Sequence, residues 1–182
     1  MGSGIAIDFA LAYPQMTSAL ISIGPWINGY SSPVVEAYGE EVSSVLNEII
    51  AAVKVQDLGT AVDAWMNSSF FSKTIIDPIV GDQFKRLAKD FSFWGFVHDS
   101  PRRSLDPNAA GRMSEIQAPT LVVTADNDIP VCLDMAEMID RSVPNSRKIV
   151  MQGTGHLLHM EKPREFIQHL VSFLSTFSDG DG

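Results

Sequence analysis

Pro119-Thr120-Leu121-Val122-Val123-Thr124-Ala125-Asp126-Asn127-Asp128 is an apolar, β-branched run that ends in a polar cluster. A proline in front, carboxylates behind and no alternation between them mark a strand buried on both faces, as in a parallel sheet. The C-terminal third of the chain keeps the matching rhythm. A helical pattern runs from about Leu133 to Arg141, and Arg147-Lys148-Ile149-Val150-Met151 reads as a further strand. A last helix begins near Pro163, with Phe166, Leu170, Phe173, Leu174 and Phe177 on one face. Strand, helix, strand, helix at these lengths form a right-handed parallel unit.

Upstream, Met1-Gly2-Ser3-Gly4 leads into an apolar helix that Pro14 stops. Ala19-Leu20-Ile21-Ser22-Ile23, bounded by Gly24-Pro25, reads as another buried strand. Between about Ser31 and Leu105 no strand pattern appears. Val35, Tyr38, Val42, Val45, Leu46, Ile49 and Val53 recur at helical spacing, with Ser32 and Pro33 as cap and first-turn proline. Shorter helices are predicted near Thr60–Met66 and Gln83–Lys89, before an aromatic cluster of Phe91, Phe93, Trp94 and Phe96. The chain thus divides into an α/β segment at 1–30, a helical insert at 31–105 and a second α/β segment at 106–182. The insert is too long for an ordinary connection within a sheet and is expected to cap one edge of it.

The 182 residues are 45% hydrophobic and 19% charged, so the chain is globular rather than disordered. Its formal net charge of −9, with scattered basic residues, argues against nucleic acid as a partner. No apolar run suits a membrane span, and Asp8 interrupts a start that has no basic region, so neither a membrane segment nor a secretory signal is expected. A cytoplasmic location is the default. Cys132 is the sole cysteine, which precludes an internal disulfide, and it reads as a small buried side chain.

In parallel sheets ligands bind at the carboxyl ends of the strands. Two polar loops fall there: Asp126-Asn127-Asp128 after one strand, and Gln152-Gly153-Thr154-Gly155-His156 after the next. Neighbouring strands lie about 4.8 Å apart, so an acid and a histidine at adjacent strand ends can touch. The carboxylate would fix the imidazole tautomer, leaving the other nitrogen to take a proton from a hydroxyl. The glycines beside Thr154 let the backbone turn and present His156. Other residues carry weaker expectations. Trp26 and Tyr30 follow a strand end and would wall a substrate pocket or pack against the insert. Trp65, Met66, Phe70 and Phe71 read as core, or as the lining of an apolar site. His98 and His169 read as surface residues. His156, His159 and Glu161 do not share a face at their spacing, so no metal is expected.

Gly155-His156, followed by Glu161-Lys162-Pro163 and Phe166, resembles the histidine segment of the α/β-hydrolase superfamily. The strand ending in Asp126-Asn127-Asp128 is similar to that superfamily's acid strand, and Asp128 fits the acid better than Asp126 because the family's acid is the last carboxylate of such a cluster. The resemblance implies a partial α/β-hydrolase fold with three remaining parallel strands and an inserted helical cap. In this family the chain order is nucleophile, acid, histidine. Met1-Gly2 at the start of a helix matches the two residues after the nucleophile of a Gly-x-Ser-Met-Gly elbow, so the nucleophile is expected just before Met1, in a chain that begins at a misassigned start or as a fragment. The Met1 amide would then be one oxyanion-hole donor. Ser3 lies two positions past the elbow and is a poor nucleophile candidate. The resemblance implies a cofactor-free serine hydrolase of small hydrophobic esters or related carbonyl compounds, with Asp128 and His156 catalytic and the chain inactive alone. A carbon–carbon bond hydrolase, a dehalogenase relative and a non-catalytic binding module are the other readings.

Overall fold

In the computed structural model, residues 2–98 and 103–177 are described. Helix α1 (Gly2–Ala12) leads to strand β1 (Leu20–Ile23). Four helices follow: α2 (Pro33–Lys54), α3 (Leu58–Met66), α4 (Pro78–Lys89) and α5 (Trp94–Val97). The chain then alternates through β2 (Thr120–Ala125), α6 (Pro130–Ser142), β3 (Ser146–Met151), α7 (Leu158–Glu161) and α8 (Pro163–Ser175). The sheet has the order β1-β2-β3, with both pairings parallel. Every residue of β2 is buried, as its uninterrupted apolar run requires. Among the described residues β1 pairs on one side only.

Two layers of core flank the sheet. Ile7, Leu20, Val122, Met135 and Ile139 pack α1 and α6 onto one face. Leu121, Val123, Met151 and Phe173 pack α8 onto the other. A separate cluster around Ile49, Val62, Phe71, Phe84 and Phe93 holds the helices between β1 and β2 together. There Trp65 sits among four aromatic rings, those of Phe71, Phe84, Phe91 and Phe93.

The local signals act as their chemistry requires. The Ser32 hydroxyl accepts from the Val35 amide at the start of α2, with Pro33 in the first turn. Several boundaries differ from expectation. Helix α6 starts at Pro130, ahead of Leu133, because a proline in the first turn has no amide to leave unpaired. Helix α4 starts at Pro78, where the Asp77 carboxylate caps it. On α8 only Phe173 is buried; Leu174, and Phe177 just past the end of the helix, are 45% and 42% exposed, so the apolar face is narrower than the sequence pattern. Among the described residues no helix is long and apolar enough to cross a membrane.

Candidate active site

The carboxyl ends of the three strands bring Gly24, Asp128 and His156 together. Asp128 follows β2 and its side chain is fully buried, whereas that of His156 is 21% exposed. His156 Nδ1 lies 2.8 Å from Asp128 Oδ1. An ionised carboxylate only accepts, so the imidazole donates from Nδ1. The same oxygen accepts the Ile129 amide at 2.8 Å, which fixes the carboxylate against the start of α6. Nε2 is the ring nitrogen that does not contact Asp128.

Asp126 has a different task. Its carboxylate accepts the Thr154 amide at 3.1 Å, and the Asn127 amide donates to the Thr154 carbonyl at 3.1 Å. The Gly153 amide and then the Thr154 amide hold the Asp126 carboxyl below the usual carboxylate range. The loops after β2 and β3 are thereby stapled together, which sets the height of His156 opposite Asp128. The two glycines around Thr154 serve separate ends. Gly153 has φ +64°, a left-handed turn that favours glycine. Gly155 instead permits close approach, since a Cβ there would lie 3.0 Å from the Thr74 amide nitrogen.

Gly24 is the floor beneath the imidazole. Its φ is +52°, and a Cβ would stand 2.9 Å from His156 Cε1. Phe70 and Phe71 meet the ring edge-on, with centroids 5.6 and 5.8 Å away. His156 opens into a cavity of 960 Å³. Its wall is mostly apolar: Ile5 and Phe9 of α1, Trp26, Val45 and Ile49 of α2, Trp65, Phe70 and Phe71, with Asp8, Glu41 and Arg103 as charged groups. This is the size and character of a small-molecule site.

Of the expected pocket residues, Trp26 lines this cavity and Tyr30 does not. The Tyr30 hydroxyl donates to Asp134 on α6 at 3.0 Å, and the ring packs into the core beside the sheet. Met1 lies outside the described residues. Ser3 Oγ is 2.6 Å from Ser22 Oγ and accepts the Trp26 amide at 3.2 Å, so it ties α1 to the end of β1. His98 is exposed and stacks on Trp94. His169 lies 3.8 Å from Glu165 on α8. Glu161 does not join the histidines. It accepts the Gly155 amide at 2.8 Å and the Thr74 hydroxyl at 2.7 Å.

Among the described residues one grouping has metal-ligand spacing: Asp128, Cys132 and His156, whose donor atoms lie within 4.8 Å of one another. Two of the three already bond to each other. Burial, and then the Asp128 charge, push the Cys132 thiol far above its ordinary range, so it stays a neutral thiol 4.0 Å from His156 Nδ1.

A parallel α/β sheet with an acid–imidazole pair at its carboxyl rim, beside a helix-covered apolar cavity, is the layout of hydrolases that use an activated nucleophile. The comparison with known families agrees. The model of the alpha/beta hydrolase fold family matches residues 1–163, and the chain belongs to that family. The 2-hydroxy-6-oxononadienedioate/2-hydroxy-6-oxononatrienedioate hydrolase 2 of Pseudomonas putida is 27% identical over 175 residues, which cover 96% of this chain and 60% of that protein. Among solved structures, MenH from S. aureus superposes with a TM-score of 0.67 at 21% identity, covering 93% of this chain and 65% of the other. A thermophilic esterase from Thermogutta terrifontis gives 0.69 at 19% identity, covering 96% and 62%. Those two likenesses carry the fold alone. The chain spans about 60% of the length of the curated relatives it matches.

Proposed function

We propose that His156 and Asp128 are the base and the orienting acid of a Ser-Asp-His triad, in a hydrolase of small hydrophobic esters or related carbonyl compounds. The observation that carries this is the 2.8 Å contact between a fully buried carboxylate and an imidazole that opens into the apolar cavity. In the first step His156 Nε2 takes the proton of a serine hydroxyl as its oxygen attacks the carbonyl carbon. Asp128 stabilises the imidazolium so formed, and His156 returns the proton to the leaving group. Water then gives a proton to the same nitrogen as its oxygen attacks the acyl carbon; the bond from that carbon to the serine oxygen breaks, His156 returns the proton to the serine oxygen, and the acyl group leaves as an acid.

Ser3 is a poor source of that hydroxyl, because it is already held by Ser22 and the Trp26 amide. Because Met1-Gly2 resembles the two residues after the family's nucleophile, we take the serine of this triad to precede Met1 in the whole protein, with the Met1 amide as one oxyanion-hole donor. The helices of residues 31–105 act as a cap: they contribute much of the cavity wall beside the imidazole. The P. putida relative favours a second reading, hydrolysis of a carbon–carbon bond beside a carbonyl, with the same acid and base.

The test compares two proteins on p-nitrophenyl esters and on a vinylogous diketone. The 182-residue chain is expected to show no turnover that depends on His156. A chain extended upstream through a strand and a Gly-x-Ser preceding Met1 is expected to turn over, and to lose that activity in Asp128→Asn and His156→Gln. Robust hydrolysis by the 182 residues that disappears in Ser3→Ala would overturn the assignment.

A further inference from the structure

His156 sits on a loop, and a loop holds a ring in place only as well as its backbone is held. The two amides that bracket it have well-defined acceptors. The Gly155 N–H donates to Glu161 Oε2 at 2.8 Å, and the Leu157 N–H donates to Thr74 Oγ1 at 3.2 Å. The two acceptors are joined, because the Thr74 hydroxyl donates to Glu161 Oε1 at 2.7 Å. One carboxylate and one hydroxyl therefore close a ring of hydrogen bonds around the backbone of His156.

Thr74 does not belong to the histidine segment. It lies in the turn between α3 and α4 and is completely buried. Its side chain reaches across 83 residues of sequence to Leu157. Gly155 makes the approach possible, because a Cβ there would stand 3.0 Å from both the Thr74 amide nitrogen and its hydroxyl oxygen. The same stretch of chain carries Phe70 and Phe71, whose edges meet the imidazole. One segment of the helical insert thus touches the ring and fastens the backbone that bears it.

We infer that Thr74 is a positioning residue, which couples the helical insert to the histidine loop and keeps the imidazole on Asp128. It acts through Glu161 and Leu157 and touches no reacting atom. Without the hydroxyl, the Leu157 amide loses its acceptor and Glu161 Oε1 loses its donor. The carboxylate can then swing, the Gly155 amide follows it, and the ring moves off Asp128. Movement of the insert would reach the base by the same route. The consequence for catalysis rests on the proposed role of His156; the hydrogen bonding does not.

The test uses the whole 182-residue chain and reads the Asp128–His156 contact directly, so it stands apart from any failure of the hydrolase assignment. Solvent exchange of the His156 Nδ1 proton and of the Gly155 and Leu157 amides is followed by NMR, with the melting temperature as a control. In Thr74→Val, of similar shape but with no hydroxyl, all three are expected to exchange about tenfold faster, the loss of one hydrogen bond to a charged group. Thr74→Ser is expected to restore the parental rates. If Thr74→Val does not fold, Glu161→Gln replaces it and is expected to accelerate the same protons. Parental exchange in a folded Thr74→Val protein, or in Glu161→Gln, overturns the inference. So does equal acceleration in Thr74→Ser and Thr74→Val, which would make packing rather than the hydroxyl responsible.

Discussion

Gly24→Ala is the smallest change that should dislodge the candidate base. The glycine amide donates to the Val123 carbonyl at 3.1 Å, so its backbone cannot retreat without breaking the β1–β2 pairing. A Cβ there would lie 2.9 Å from His156 Cε1, 3.4 Å from Nδ1 and 3.5 Å from Nε2. Carbon atoms in contact prefer about 3.5–4.0 Å, so the ring must shift by about 0.6–1 Å. The bond to Asp128 starts at 2.8 Å, and such a shift carries it beyond the normal range of about 2.7–3.2 Å. Two costs add. A non-glycine residue at φ +52° costs about 1–2 kcal/mol. The weakened hydrogen bond to a buried carboxylate costs about 1.5–3 kcal/mol. The two together come to about 2.5–5 kcal/mol, and at about 2–4 °C per kcal/mol for a chain of this size the melting temperature should fall by about 5–20 °C. In a protein with its nucleophile in place, a displacement near 1 Å should also cost about a hundredfold in rate. Thermal unfolding and a crystal structure of Gly24→Ala would check this. A melting temperature within about 1 °C of the parent, with Asp128 and His156 still in hydrogen-bond contact, would show that the close approach at Gly24 does not constrain the ring.

Cys132 should leave a signature at high pH. Its thiol is raised in the folded state, first by burial and then by Asp128, so the unfolded chain ionises first. Stability is then complete below the unfolded value of about 8.5 and is lost as pH rises beyond it. Denaturant midpoints measured across that range should slope less in Cys132→Ala, and a thiol reagent should label the native protein only at the rate of unfolding. An unchanged slope with rapid native labelling would contradict the burial. Trp65 meets four aromatic rings, with centroids 5.2 to 5.7 Å away. Because it is only half-buried, Trp65→Ala should cost about 3 kcal/mol, the low end for such truncations, and Trp65→Phe much less. Urea unfolding that places the two variants equally close to the parent would remove Trp65 from the centre of that cluster.

The sheet was legible because its central strand is buried on both faces. Leu121, Val122 and Val123 have nowhere to go but inside, and the polar residues after each strand mark one common rim. The contact between Asp128 and His156 follows from that placement alone. What escaped the sequence is of another kind. Nothing near Thr74 signals a bond to Glu161 or to Leu157, because the partners are far apart in the chain and meet only when the insert folds onto the sheet. Tyr30 sits at a strand end like Trp26, yet Asp134 on α6 draws its hydroxyl away from the cavity. The periodic face of α8 extends through Leu174 and Phe177, whereas burial stops at Phe173, since periodicity records which side is apolar and not how far the sheet beneath it reaches. Gly24 reads as a strand boundary, and its use as a floor for the imidazole depends on a residue more than a hundred positions away.

The protonation of His156 offers the most direct check, read from the nitrogen-15 shifts of its ring in the 182-residue chain at neutral pH. A proton on Nδ1, a bare Nε2, and loss of that preference in Asp128→Asn are the expected result. A proton resident on Nε2, or a ring that exchanges freely between tautomers in the parent protein, would contradict it.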